Sequence, residues 1–249
     1  MKNFYMPSDV RAADGTAAER YKVPSVVLME NAARAAADAA EAMARGDGPF
    51  VILAGHGNNG GDGFAAARHL MLRGHCVAVL KTAEDGRYKN DAAVNLRIIR
   101  ELEGAELRIA DSPSLDDHEV KELLGGAAVV LDALLGTGTT GAPRGEEGHL
   151  ITLSAGCENI LALDIPSGID PEGGACYEPC VRAAATVTFL APKKGMAFSP
   201  ALEACGRIIT ADIGVPASKV LPQAPALSLY FAEAIKNMLP PPSRSVAQD

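Results

Sequence analysis

No stretch of this chain is apolar for the roughly 18 to 20 residues that a membrane-spanning helix needs, and its opening, MKNFYMPSDVRAADG, holds no secretory apolar core. A basic excess is missing too. Lys and Arg number 23 against 31 Asp and Glu, a net charge of −8, which argues against a general nucleic-acid binder. The five cysteines, Cys76, Cys157, Cys176, Cys180 and Cys205, form no C-x-x-C pair; an odd count at irregular spacing predicts reduced thiols and a cytoplasmic protein. Cys176 and Cys180 could pair as metal ligands, but no nearby histidine completes a site. The five histidines form neither H-x-x-x-H nor H-E-x-x-H, which argues against catalytic zinc. No G-x-S-x-G surrounds Ser167, so a hydrolase nucleophile is not expected there. No internal repeat is present.

What the chain does have is core-forming material. Of 249 residues, 48% are hydrophobic and 22% charged, and the length fits one large α/β domain or two small ones; one domain is expected over residues 1–239. A polar tail, residues 240–249, opens with Pro240-Pro241-Pro242. The organising stretch is FVILAGHGNNGGDGFAAARHLMLRG, residues 50–74. It predicts a strand over 50–54, a glycine-rich loop over 55–63 and a helix over 64–73. Glycines let a backbone approach a ligand, and free N–H groups at a helix start favour negative charge. Gly55, Gly57 and Gly60 satisfy G-x-G-x-x-G, a weak signal alone. Asp62 would repel a phosphate in the ordinary dinucleotide pose, or cap the helix. The loop is therefore expected to bind something other than a pyrophosphate in that pose.

Helices are predicted over residues 8–20 with Ser8 as N-cap, and over 26–45, alanine-rich and stopped by Gly46-Asp47-Gly48-Pro49. In the latter, Glu30 and Asn31 either face solvent or brace a site. Strands follow over 76–80, 107–110, 127–131, 160–163, 185–190 and 207–210. Helices follow over 90–102, 115–124, 146–154 and 226–238. This alternation predicts a three-layer α/β/α sandwich around a mainly parallel sheet, Rossmann-like, with ligands at the carboxyl ends of the strands. Three strands end in suggestive loops: residues 55–63, residues 132–141, and Asp164-Ile165-Pro166-Ser167-Gly168. All three should open at one sheet edge.

Asp132 and Asp164 each follow a buried aliphatic run. Each either turns the chain out of the sheet or stands as a partly desolvated carboxyl suited to proton transfer. Ser167 makes a plain turn or serves as an oxygen ligand. Asn59, Asp132 and Ser167 offer three hard oxygens without a carboxylate cluster, which suits a weakly held monovalent cation better than zinc. Lys89, at a helix start, is either solvated or functional. Lys193 and Lys194 are a solvated turn or phosphate partners.

GHGNNGGDGFAAARHL, VVLDALLGTGTTGAPRG, LALDIPSGID, VTFLAPKKG and the closing ADIGVP, with VPS and LMENA near the start, resemble the N-terminal domain of the YjeF family, the NAD(P)H-hydrate epimerases. The likeness runs from about Asp9 to about Pro216. It implies a Rossmann-like fold, often dimeric, and an isomerase that interconverts R and S forms of NADHX and NADPHX at ring carbon 6. It implies coupling to an ADP- or ATP-dependent dehydratase that restores the cofactor. By motif, Asn58, Asn59, Gly60, Gly61, Asp62, Gly136, Thr137, Gly138, Thr139, Thr140, Gly141 and Ala142 would bind the hydrate. Asn59, Asp132 and Ser167 would hold K⁺, and Asp164 would contact the hydrate as acid/base. Lys89 lies where the family often places a second catalytic group. The Thr139-Thr140 stretch departs from the commoner form of its loop. The tail resembles the start of a linker to a dehydratase domain.

Two other readings compete. A conventional NAD(P) oxidoreductase would use Gly55, Gly57 and Gly60, but Asp62 opposes it. The next strand also ends in Leu80-Lys81 rather than in the acidic residue that ribose recognition wants. A non-catalytic nucleotide-binding or scaffold protein would have no need of Asp132 and Asp164.

Overall fold

The structure, a computed structural model, describes residues 2–229. Strand β1 (Lys2–Phe4) leads into helix α1 (Pro7–Tyr21). Pro7 occupies the first turn, where its missing N–H is no loss, and the N-cap is Met6 with no side-chain bond, so Ser8 is not the cap. Helix α2 (Ser25–Met43) buries Ala32, Ala33, Ala36, Ala37 and Ala40 along one stripe, and these small side chains let it lie close against the next helix.

The alternating elements then follow in order: β2 (Phe50–Ala54), α3 (Asn58–Leu72), β3 (Val77–Lys81), α4 (Asn90–Glu101), β4 (Leu107–Asp111), α5 (Asp117–Gly125), β5 (Val129–Ala133), α6 (Gly145–Leu153), β6 (Ile160–Leu163), β7 (Ala185–Phe189), α7 (Ala201–Ala204), β8 (Arg207–Ala211), α8 (Ala217–Val220) and β9 (Leu227–Leu229). Seven strands form one sheet in the order β4-β3-β2-β5-β6-β7-β8, and every pairing in it is parallel.

Side chains alternate across this sheet. Phe50, Ile52, Ala54, Leu131 and Ala133 face the core beneath α2, α3 and α4, whereas Val51, Leu53 and Val130 face Val120 and Leu124 of α5 and Leu150 and Ile151 of α6. Both faces are covered, so the central strands are mostly apolar runs, with Asp132 in β5 and Thr186 and Thr188 in β7 as buried polar exceptions. Strand order reverses between β2 and β5. That switch point is where the crevice at the carboxyl edge of such a sheet opens.

Two expectations fail here. Asp132 lies inside β5 rather than after it, because the turn at Ser167 satisfies its carboxylate and the ladder continues to Ala133. The predicted helix over 226–238 is contradicted at its start. Leu227–Leu229 is a strand, antiparallel to β1, and the rest of the predicted helix lies outside the described residues. The Leu-Ser-Leu alternation finds a partner more than 200 residues away, which no local propensity can anticipate.

Candidate active site

Helix α3 starts at Asn58, six residues earlier than expected, with Gly57 as N-cap. The glycine run is therefore the first turns of the helix and not a free loop. A Cβ at Gly60 would sit 1.8 Å from the Gly55 carbonyl oxygen, and one at Gly61 would sit 2.8 Å from Ala92 Cα of α4. These two glycines let α3 press onto the end of β2 and onto α4; both are buried and neither lines the cavity described next. Asp62 is likewise not a cap. It lies in the second turn, with the residue 8% exposed.

A cavity of about 440 Å³ opens at the switch point. Its floor is the start of α3, Gly57, Asn58, Asn59 and Asp62, and the loop after β5, Gly136, Thr137, Gly138 and Thr139. The first N–H groups of α3 have no intrahelical partners, and Gly57 has open space beside it, so this rim favours an anionic group. Val10, Arg11 and Asp14 of α1 complete the wall, and Arg11 Nη2 donates to the Thr137 carbonyl (3.1 Å) across the mouth. The expected binding residues Thr140, Gly141 and Ala142 lie beyond the cavity lining. No sequence signal pointed to α1, which reaches the site only through the fold.

Beneath the cavity, three segments meet on Asp132, which is fully buried. Ser167 donates from its backbone N–H (2.8 Å) and its hydroxyl (2.6 Å), and the Leu134 N–H adds a third bond (3.2 Å). Burial nevertheless wins over these donors and pushes the Asp132 carboxyl up to about 6. The Leu135 N–H donates to Ser167 Oγ (2.9 Å), and Asn59 Nδ2 donates to the Leu135 carbonyl (3.1 Å). That leaves Asn59 Oδ1 buried without a hydrogen-bond partner. An orphaned oxygen beside a carboxylate, a hydroxyl and a carbonyl is the donor set of a hard monovalent cation, so the residues present fit K⁺.

Asp164 stands at the end of β6 with φ +66°, the left-handed region that Asp tolerates and most side chains do not. Its N–H is held by the Val187 carbonyl at 2.7 Å. A Cβ at Gly136 would lie 3.4 Å from Asn59 Cβ and 3.9 Å from Asp164 Oδ2, so these three residues adjoin. Asp164 is paired with Lys193, whose amine also donates to Thr188 Oγ1 (2.9 Å) and the Phe189 carbonyl (3.4 Å). Lys193 is fully buried, and the Asp164 side chain is 14% exposed. Lys193 is thus neither a solvated turn nor a phosphate partner. The lysine predicted as a second catalytic group, Lys89, is exposed, donates to the Gly86 carbonyl (2.9 Å) and lies outside the cavity.

The Asp62 side chain has no hydrogen-bond or ion-pair partner in the protein among the described residues. Burial, followed by the nearby Asp164 and Asp14 carboxylates, pushes its carboxyl well above the usual range. Of the four carboxyls that line the cavity, Asp14, Asp62, Asp91 and Asp164, Asp164 is in direct contact with an ammonium, whereas the Lys193 charge reaches Asp62 only at a distance and does not offset its burial. Among the described residues no group of three His, Cys, Asp or Glu could hold a metal ion, and no helix is long and apolar enough to cross a membrane. Cys176 and Cys180 are free thiols.

A family model described as the N-terminus of YjeF-related proteins matches residues 25–195, well over half of the chain. The chain belongs to the YjeF-related N-terminal family. This YjeF N-terminal domain is 46% identical, over 88% of its length, to a Bifunctional NAD(P)H-hydrate repair enzyme Nnr of Thermanaerovibrio acidaminovorans, of which it covers 42%. It is 37% identical, over 83% of its length, to an NAD(P)H-hydrate epimerase of Rhodopirellula baltica, covering 82% of that protein. A third relative, the NAD(P)H-hydrate epimerase of Pirellula staleyi, is 36% identical over 87% of the chain and 94% of the relative. The chain therefore spans about two fifths of the bifunctional relatives and most of the single-function ones. The crystal structure of yeast ynu0 shares the fold at a TM-score of 0.66 and 21% identity, over 84% of this chain and 86% of that one.

Proposed function

We propose that this YjeF N-terminal domain is an NAD(P)H-hydrate epimerase that interconverts the R and S forms of NADHX and NADPHX. The names of its relatives support the activity. The observation that carries the mechanism is the contrast between two of the cavity's carboxyls, Asp164 in contact with Lys193 and Asp62 buried with no ion-pair partner among the described residues. Environments that separate two acids in this way set one to donate a proton and the other to accept one.

The hydrate bears a hydroxyl on carbon 6, next to ring nitrogen 1. In this mechanism Asp62 gives its proton to that hydroxyl. The C6–O bond breaks with its electron pair leaving on water, and the nitrogen lone pair forms the N1=C6 iminium. Water then adds to C6 from the other ring face, the π pair returns to nitrogen, and Asp164 takes the released proton. Exchange with solvent resets both carboxyls, and the reverse direction exchanges their roles. Asn58 and Asn59 at the α3 start, with Gly136 to Thr139, would hold the anionic part of the dinucleotide. Asn59, Asp132 and Ser167 would hold K⁺, whose charge would fix the α3 start and the loop after β5 against the Ser167 turn. The bifunctional relatives support functional coupling to a dehydratase acting on the S form.

The test is consumption of R-NADHX in the presence of an S-specific dehydratase. The wild-type chain should speed it well above the spontaneous rate, while Asp164→Asn should remove the acceleration and leave the protein folded. Asp62→Asn keeps a neutral, hydrogen-bonding side chain but holds no transferable proton, so kcat should fall about 100-fold with KM nearly unchanged. Near-wild-type turnover by Asp62→Asn would remove it from proton transfer. No reduced-nicotinamide absorbance change should accompany the reaction, which separates it from an oxidoreductase.

A further inference from the structure

The family model begins at residue 25, yet the N-terminal segment outside its span, paired with β9, reaches the backbone of Lys193. Tyr5 forms an isolated parallel bridge with Lys193. The Tyr5 N–H donates to the Pro192 carbonyl (2.9 Å), and the Lys194 N–H donates to the Tyr5 carbonyl (2.8 Å). The backbone of Lys193 is thus bracketed on both sides by one residue of the N-terminal segment. The preceding residue, Phe4, is fully buried in a small cluster with Ile165 and Ile169, which follow Asp164, and with Met196, three residues past Lys193. Phe4 and Tyr5 therefore touch the segments that carry both members of the pair.

What holds this segment is β9. Lys2, Asn3 and Phe4 pair with Leu229, Ser228 and Leu227, and Ser228 Oγ donates to Asn3 Oδ1 (2.8 Å). An isolated three-residue strand has no stability of its own in water and is ordered only by its partners. The amine it steers has little freedom to compensate. Lys193 is fully buried and donates to Asp164, Thr188 and Phe189, so moving its backbone by an ångström would break bonds rather than bend them.

We propose that residues 2–5 are a positioning element for Lys193, and that β9 locks them in place. The ribbon makes no contact with substrate in this scheme; it acts through the ammonium of Lys193 on the Asp164 carboxylate. The inference rests on the epimerase reading only for its kinetic readout.

Tyr5→Pro removes the N–H that reaches Pro192, while Tyr5→Phe keeps it and serves as the control. The double variant Leu227→Pro with Ser228→Pro removes whichever of two consecutive N–H groups faces β1. In the full chain, Tyr5→Pro should lower kcat about tenfold with KM within twofold of wild type. The β9 double variant should act in the same direction, and Tyr5→Phe should match wild type. The independent readout is the side-chain ¹⁵N signal of Lys193, assigned by its loss in Lys193→Met and visible because a buried ammonium exchanges slowly. It should shift or broaden in Tyr5→Pro and in the β9 variant. Wild-type turnover together with an unmoved Lys193 signal in both proline variants overturns the proposal. So does a fall in kcat that tracks a rise in KM and a lower melting temperature, since that is general loosening. Should Tyr5→Pro fail to fold, the β9 variant decides alone. If the wild-type chain has no epimerase activity but the signal moves as expected, the epimerase reading fails and the positioning role stands.

Discussion

Replacing Asp164 by Asn is an unusually clean perturbation of the Lys193 pair. Asn has nearly the same volume and also tolerates φ +66°, so the backbone adds little strain. What changes is charge: the fully buried ammonium of Lys193 loses its counter-ion. Breaking one partner out of a buried pair costs about 3–5 kcal/mol, and the residual 14% exposure of Asp164 favours the lower end. At roughly 2–4 °C per kcal/mol for a chain of this size, the melting temperature should fall by about 6–12 °C. Lys193→Met should cost a similar amount, because it strands the carboxylate. The double variant removes both charges and so should recover part of the loss, although Thr188 Oγ1 and the Phe189 carbonyl give up the donor that Lys193 supplied. The cycle, measured by urea unfolding followed by circular dichroism at pH 7, should give a coupling energy of about 2 kcal/mol or more. Additive single effects, within about 0.5 kcal/mol, would refute the claim that these two residues compensate each other.

The Asp132 site makes a prediction about pH and cations. The folded carboxyl titrates at about 6 and the unfolded one near 3.8, so the folded state holds its proton over a range where the unfolded state has lost it. Stability from this group therefore falls as pH rises from about 4 to 6, by roughly 3 kcal/mol in all. A cation bound by Asn59, Asp132 and Ser167 opposes that loss. KCl should raise the melting temperature at pH 7.5 more than at pH 4.5, and more than LiCl at equal ionic strength. Asp132→Asn should abolish the difference, and an identical response to the two salts would argue that these oxygens serve only the fold. For the glycine run, Gly60→Ala forces a Cβ into the Gly55 carbonyl and should destabilise by about 3 kcal/mol or more, read by thermal melting. Gly57→Ala enters open space and should lower the melting temperature far less, by no more than the loss of a favoured N-cap residue, while weakening substrate binding. Equal effects on stability would undo the assignment of Gly60 to packing.

Local pattern alone was enough to find the sheet. The aliphatic run of β6 ends at Leu163 as read from sequence, and its neighbours fall within a residue or two, because buried parallel strands are short apolar runs with polar ends. The convergence of the Asn59, Asp132 and Ser167 segments also followed from sequence, since parallel strands that alternate with helices must all end on one side. Other features needed the third dimension. A glycine that accommodates a ligand and one that accommodates a neighbouring carbonyl are the same letter, and only packing separates Gly57 from Gly60. Lys89 and Lys193 are each a lysine beside a turn; the fold buries one against Asp164 and leaves the other in water. The β1–β9 pairing joins the two ends of the described chain, and its energy comes from contacts between residues too distant in sequence for any local pattern to report.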